Sequence, residues 1–202
     1  MNKALIIFIK NIENNNVKTR LAATVGHTLA QKVYRELLAR THSAVKGTNT
    51  DITVYYSREV LPEDEWSLEG YNQDVQATGD LGEKMKDAFA RQFADGKEKV
   101  VIIGSDCPDL STELINQAFE QLDRNDVVFG PSEDGGYYLL GMTSLIPMLF
   151  ENKEWSTDTV LKSSLDDLDK VGKHVALLPE LNDIDTEEDL KSSSLSHLLD
   201  QS

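Results

Sequence analysis

The run Val100-Val101-Ile102-Ile103 has the composition of a buried strand, and it ends abruptly in Gly104-Ser105-Asp106, with Cys107-Pro108-Asp109 behind it. Open α/β sheets bind ligands outside the carboxyl ends of their strands, so Asp106 stands where an acid would hold a metal-bound phosphate. Carboxylate oxygens suit Mg²⁺ or Mn²⁺, ions that bridge to substrate phosphates. A second acidic strand end follows late in the chain, Asn182-Asp183-Ile184-Asp185-Thr186. Thr186 suits the N-cap of the next helix, which leaves Asp185 free of that task and makes it the second metal-ligand candidate. The cations come early. Lys18-Thr19-Arg20 opens a helix directly after the first strand and its loop, where backbone N–H groups and the helix dipole favour a phosphate. Arg20 adds bidentate pairing. A solvated basic turn accounts for Lys18 and Arg20 as well as a phosphate site does.

Other candidates are turns with two readings each. Gly79-Asp80-Leu81-Gly82-Glu83 lets backbone approach a ligand, although Asp80 as a plain N-cap is the better reading of that motif in isolation. In Glu133-Asp134-Gly135-Gly136-Tyr137, Asp134 suits a ligand hydroxyl or a general base, and the glycines let main chain bond a sugar. The same residues satisfy an ordinary β-turn. Trp155 is either a ligand-facing aromatic at a helix entry or a core residue beside a cap. Asp109 is best read as a helix cap. Cys107 reads as a small packed residue, since no neighbouring His or basic group would lower its pKa.

The elements that must position these residues alternate. Residues 3–9 form an apolar strand followed by a polar loop, Asn11–Asn16. Leu21, Val25, Leu29, Val33 and Leu37 recur at four-residue spacing, which predicts one amphipathic helix to about Arg40, then a polar turn over 43–50. Residues 52–56 are a strand and 57–79 are irregular. A second stripe (Leu81, Met85, Ala88, Phe89, Phe93) stops at Gly96. After the 100–103 strand, Ser111 caps a helix, 127–129 and 137–140 are short strands, 157–169 is a helix and 174–178 a strand. Thr186 then caps the last helix, with acids in its first turn. Such alternation predicts a single α/β domain over 1–202, with a mostly parallel central sheet and helices on both faces. The polar tail, 192–202, is expected to fray.

At 202 residues, 40% hydrophobic and 27% charged, the chain suits one soluble globular domain. A net charge of −15 argues against nucleic acid as a partner, while a few local cations and a metal still accommodate a small phosphorylated ligand. The four scattered histidines lack zinc-site spacing. A lone cysteine, no secretory-type leader and no apolar run near the ~20 residues of a membrane helix point to the cytoplasm and to no membrane insertion.

Six segments in order, Val17–Leu21, Gly79–Glu83, Gly104–Leu110, Gly130–Leu139, Trp155–Thr157 and Asp183–Leu190, resemble a bacterial GT-A-type glycosyltransferase family associated with radical-SAM and selenium genes. That family belongs to the nucleotide-diphospho-sugar transferase superfamily, and the resemblance spans nearly the whole chain. It implies a Rossmann-like GT-A fold and a metal-dependent transfer of sugar from a nucleotide diphosphate sugar to an acceptor. The same fold and acids also serve a nucleotidyltransferase, and a catalytically silent nucleotide-binding member is a third reading. By the resemblance Lys18 and Arg20 hold the diphosphate, and Asp106 and Asp185 the Mg²⁺ or Mn²⁺. Lys10, Gln76 and Gly79 lie near the nucleotide, and Asp134, Gly135, Gly136 and Trp155 near the sugar or acceptor. In the first loop, Ile12 and Asn15 stand where the family has Pro and Gly, a change that would weaken phosphate binding.

Overall fold

The apolar runs become strands β1 (Lys3–Ile9), β2 (Asp51–Tyr56), β3 (Asn72–Val75), β4 (Lys99–Ile103), β5 (Val127–Pro131), β6 (Tyr137–Met142) and β7 (Val175–Leu177) of a computed structural model that describes residues 2–12 and 17–201. Asn14, Asn15 and Asn16 of the first loop lie outside the described residues. The strands form one seven-stranded sheet in the order β3-β2-β1-β4-β6-β5-β7. Pairing is parallel except at β6, which runs antiparallel to both β4 and β5. The chain goes from β1 outward to β2 and β3, and then returns to place β4 on the other side of β1. The carboxyl ends of β1 and β4 therefore flank the topological switch point, the place where such sheets open a crevice.

Central strands are apolar on both faces because both faces are covered. Leu5, Ile7, Val54, Val101 and Ile103 pack on one side under α1 (Thr19–Val25), α2 (His27–Lys46), α5 (Thr112–Gln121) and α7 (Glu187–Ser192). Ala4, Ile6, Tyr55, Val100, Ile102 and Phe129 pack on the other under α4 (Leu81–Ala94) and α6 (Val160–Lys170). A four-residue helix α3 (Glu65–Leu68) buries Trp66.

Several local expectations are corrected. The stripe from Leu21 to Leu37 is shared by two helices, because Gly26 adopts φ 84° and ends the first. The second runs to Lys46 instead of stopping near Arg40, since Thr41, His42, Ala44 and Val45 are buried and packing outweighs the weak helix propensity of Thr41, His42 and Val45. The segment expected to be irregular contains α3 and β3. Ser111 is the cap of α5, so Asp109 is not; its carboxylate accepts from Ser194 Oγ instead. The tail is also tied down. Leu195 and Leu198 are buried against the first face, and residues 196–201 form a 3₁₀ helix.

Candidate active site at the switch point

The site is assembled from three turns. Tyr34 on α2 accepts from the Lys10 backbone N–H at 2.7 Å and lies 3.1 Å from Ser105 Oγ, which locks the end of β1 to the end of β4. The 183–185 segment is pinned alongside by the Ile184 N–H, which donates to the Asp106 carbonyl at 3.0 Å. The α7 capping box of Thr186 and Asp189 fixes its exit, and Asp189 also accepts from the Asp185 N–H.

Into this frame Lys18 projects from a left-handed backbone (φ 49°) just before α1. Its side chain is only 3% exposed, and its Nζ lies 2.7 Å from Asp106 Oδ1 and 3.1 Å from Asp185 Oδ1. Arg20 Nη1 reaches Asp185 Oδ2 at 3.5 Å from the solvent side. Burial pulls the Lys18 ammonium toward neutrality, but the charges and hydrogen bonds of Asp106 and Asp185 outweigh it and hold its pKa above the ordinary value.

A cavity of about 470 Å³ opens over these residues, running from the carboxyl edge of the sheet inward between α4 and α6. Lys10, Arg20, Gln76, Asp106, Asp134, Gly136, Trp155 and Asp185 all line it. Lys18 lies behind the acids. Gly79 and Gly135 are not in the wall. Gly79 (φ 113°) accommodates the α4 capping box, and Gly135 makes room for the Asp158 carbonyl. The Gln76 side-chain amide donates to the carbonyls of Ile9 and Tyr55, so it binds the two strand ends together. Asp134 accepts from Ser132 Oγ and the Gly136 N–H, the turn geometry that the sequence also allowed. Burial pushes the Cys107 thiol up to about 11, which keeps it protonated and agrees with a packed role.

Two lining residues were not anticipated from sequence. Lys84, on α4, adds a cation to the wall. Asp183 is raised to about 6 by burial first and then by the charges of Asp134 and Asp185, with Lys18 opposing. A carboxylate that changes charge near neutral pH in a cleft is a functional candidate. Around the cavity Lys10, Arg20 and Lys84, with Lys18 beneath, balance Asp106, Asp134, Asp183 and Asp185, although the chain as a whole carries −15.

The raised Asp183 makes a stability prediction for metal-free buffer. Its folded pKa exceeds the ordinary aspartate value of 3.8, so it destabilises the fold as pH rises from 4 to 6 and by a constant amount above that. Asp183→Asn is therefore expected to gain roughly 1–2 kcal/mol at pH 8, after discounting for its partial exposure, and nothing below pH 4. Urea midpoints at the two pH values check this, and an equal shift at both would refute it.

Asp106 Oδ1 and Asp185 Oδ1 both meet the Lys18 ammonium, and among the described residues no group of three or more His, Cys, Asp or Glu could hold an ion. Two hard carboxylates fit Mg²⁺ or Mn²⁺ completing its shell from water and a ligand phosphate, and do not fit an ion that needs a full protein cage. Among the described residues no helix is long and apolar enough to cross a membrane.

Comparison with known proteins agrees with this architecture. A search of curated proteins found no match. The crystal structure of a protein from Desulfovibrio desulfuricans G20, provisionally named a nucleotide-diphospho-sugar transferase, is 30% identical, with 99% of this chain and 94% of that chain covered and a TM-score of 0.87. A cytidylyltransferase from Leptospira borgpetersenii serovar Hardjo-bovis (strain JB197) shares the fold at 14% identity, with 100% and 93% covered and a TM-score of 0.59. So does Rv0371C of Mycobacterium tuberculosis H37Rv, solved in complex with manganese, at 12% identity, 99% of each chain and a TM-score of 0.55. The model of the family described as "Uncharacterized protein conserved in bacteria (DUF2064)" matches residues 37–157, and on that match and the full-length relative this chain belongs to the DUF2064 family.

Proposed function

We propose that the protein is a metal-dependent transferase of the GT-A type, moving a sugar from a nucleoside diphosphate sugar to an acceptor. The radical-SAM and selenium gene setting implied by the resemblance belongs to the same proposal. The observation that carries it is the Lys18 ammonium held between Asp106 and Asp185, because it brings distant segments to one point at the sheet's switch point. The fold shared with the D. desulfuricans protein and its provisional name support the reading.

In this reading Arg20, Lys10 and Lys84 face the ligand's phosphates, and Lys18 orients the two acids while adding its own charge. Mg²⁺ or Mn²⁺ on Asp106 and Asp185 would stabilise the negative charge of the departing diphosphate. Asp183, ionised above about pH 6, takes the proton of an attacking hydroxyl. Asp134 is the alternative base, but its Oδ1 already accepts two hydrogen bonds in its turn. Gly136 and Trp155 face the sugar or acceptor, and Gln76 holds the nucleotide end of the crevice; Gly79 and Gly135 act by shaping the backbone.

Nucleotidyl transfer is the second reading, and the number of cations favours it. Lys10, Lys18, Arg20 and Lys84 exceed what a sugar-linked diphosphate needs and suit a nucleoside triphosphate.

Calorimetry with a panel of nucleoside diphosphate sugars and nucleoside triphosphates, with Mn²⁺ or with chelator, tests both. One donor is expected to bind with Mn²⁺ and to bind at least 10-fold more weakly with chelator or in Asp106→Asn, a variant that keeps its fold by circular dichroism although its Tm falls because the buried Lys18 ammonium loses its nearest partner. Release of a nucleoside diphosphate then identifies sugar transfer, and release of pyrophosphate identifies nucleotidyl transfer. If a donor binds but neither product is released, the catalytically silent nucleotide-binding reading stands; if no donor binds under any condition, all three readings fail.

A further inference from the structure

The two carboxylates suited to a metal are already engaged. Asp106 Oδ1 and Asp185 Oδ1 lie 2.7 and 3.1 Å from the Lys18 ammonium, and Arg20 approaches the other oxygen of Asp185 at 3.5 Å. Two acids are thus matched by two cations. Elsewhere in the cavity wall Asp134 and Asp183 are offset by Lys10 and Lys84, so a divalent ion meets no surplus of negative charge there.

The two cations differ in how they can respond to an incoming ion. Lys18 is 3% exposed, and its backbone is held in the left-handed region (φ 49°), which persists where the surroundings enforce it. An ion that displaced it from both acids would leave a buried ammonium without a partner, a strongly unfavourable state. An ion that bound beside it would be repelled across the carboxylates they share. Arg20 is 68% exposed and can leave Asp185 at little cost. The acids also cannot complete a coordination shell, since among the described residues no group of three His, Cys, Asp or Glu suits a metal. A polyphosphate removes both obstacles. Its oxygens fill the shell, its charge offsets Lys18 and the ion together, and it offers Arg20 a better partner.

We infer that Lys18 is a built-in counter-ion that keeps the two-acid site closed to a free divalent ion and admits one only together with a polyphosphate. The polyphosphate half rests on the transferase reading; the exclusion of the free ion does not.

Equilibrium dialysis against Mn²⁺, with the metal measured on both sides of the membrane, tests this at physiological salt, where the general pull of an acidic chain is screened. With no nucleotide present, Lys18→Met is expected to hold Mn²⁺ roughly 10-fold or more tightly than wild type. Lys84→Met takes the same charge from the cavity wall but not from the bridge, and should stay within about 3-fold of wild type. Adding Asp106→Asn to Lys18→Met should abolish the gain. Inorganic tripolyphosphate should raise wild-type retention toward one Mn²⁺ per chain, and raise it far less in Asp106→Asn. Circular dichroism checks each fold, and Lys18→Gln, which keeps a hydrogen-bond donor, replaces the Met variant if that one does not fold. Wild type holding Mn²⁺ as tightly as Lys18→Met, an equal gain in Lys84→Met, a gain that survives Asp106→Asn, or wild-type retention indifferent to tripolyphosphate would overturn the inference. The Lys18 comparison needs neither donor nor turnover. Failure of the nucleotide panel beside a gain in Lys18→Met would therefore sink the transferase reading alone.

Discussion

Lys18→Met should lose at least 10²–10³-fold in turnover with the donor that the calorimetric panel identifies, the scale seen when one preorganised charge is taken from a transferred or departing group. The effect has two parts. The ammonium's own charge is lost, and Asp106 and Asp185, now facing each other without the cation at 2.7 and 3.1 Å, repel and splay. Arginine is not expected to rescue. The pocket admits a slender ammonium with only 3% of the side chain exposed, and a planar guanidinium needs more room than that. Stability should fall as well, but by only ~1–2 kcal/mol, because the carboxylates are 35% and 41% exposed and regain water. Steady-state kinetics beside urea unfolding separates the two effects. If turnover survives in Lys18→Met, the cation is structural and the proposed mechanism loses its centre.

The largest stability effect is expected at Gly135. Its φ of 84° costs an alanine about 1–2 kcal/mol, and a Cβ there would fall 2.2 Å from the Asp158 carbonyl oxygen and 2.6 Å from its Cα. Those atoms are backbone and cannot rotate aside. The entry to α6, where the Leu161 N–H donates to the Gly135 carbonyl at 3.1 Å, would have to shift, adding ~1–3 kcal/mol. Gly135→Ala is therefore expected to lose about 2–5 kcal/mol. Gly172→Ala is the control. It has φ 66° with nothing within 4 Å of its Cβ, so it should lose only the dihedral part. Equal losses in the two variants would show that α6 yields freely to the intruding methyl.

Much of this architecture is legible because the central strands and the helical stripes are governed by burial. Val100–Ile103 can be nothing but an interior strand once flanked by Gly96 and Gly104, and Leu81–Phe93 keeps a clean apolar face. The edge is where reading fails. Asn72-Gln73-Asp74-Val75 carries no apolar alternation, and it becomes β3 only because β2 offers it a ladder. The break at Gly26 is likewise invisible to a stripe that continues in phase through it.

The site divides along similar lines. Asp106, Asp185, Lys18 and Arg20 announce themselves as polar residues at element ends. Their meeting does not, since it depends on the chain returning after β7 to lie beside β4. Lys84 looks like any solvent-facing lysine of an amphipathic helix. The proton affinity of Asp183 is created by the burial and neighbouring charges it acquires on folding, and no local pattern encodes that.

The span between Lys18 and its partner has a bearing on how the protein is made. Asp185 follows Lys18 by 167 positions, so during synthesis the sheet's first strands and α2 can emerge long before the acid that completes the site. A nascent or prematurely terminated chain would bury the Lys18 ammonium with only Asp106 to compensate it. It would also lack Leu190, Leu195 and Leu198, which seal the first face of the sheet. The candidate site is thus completed last, and a chain cut short upstream of Asp183 lacks both Asp185 and the leucines that close the first face.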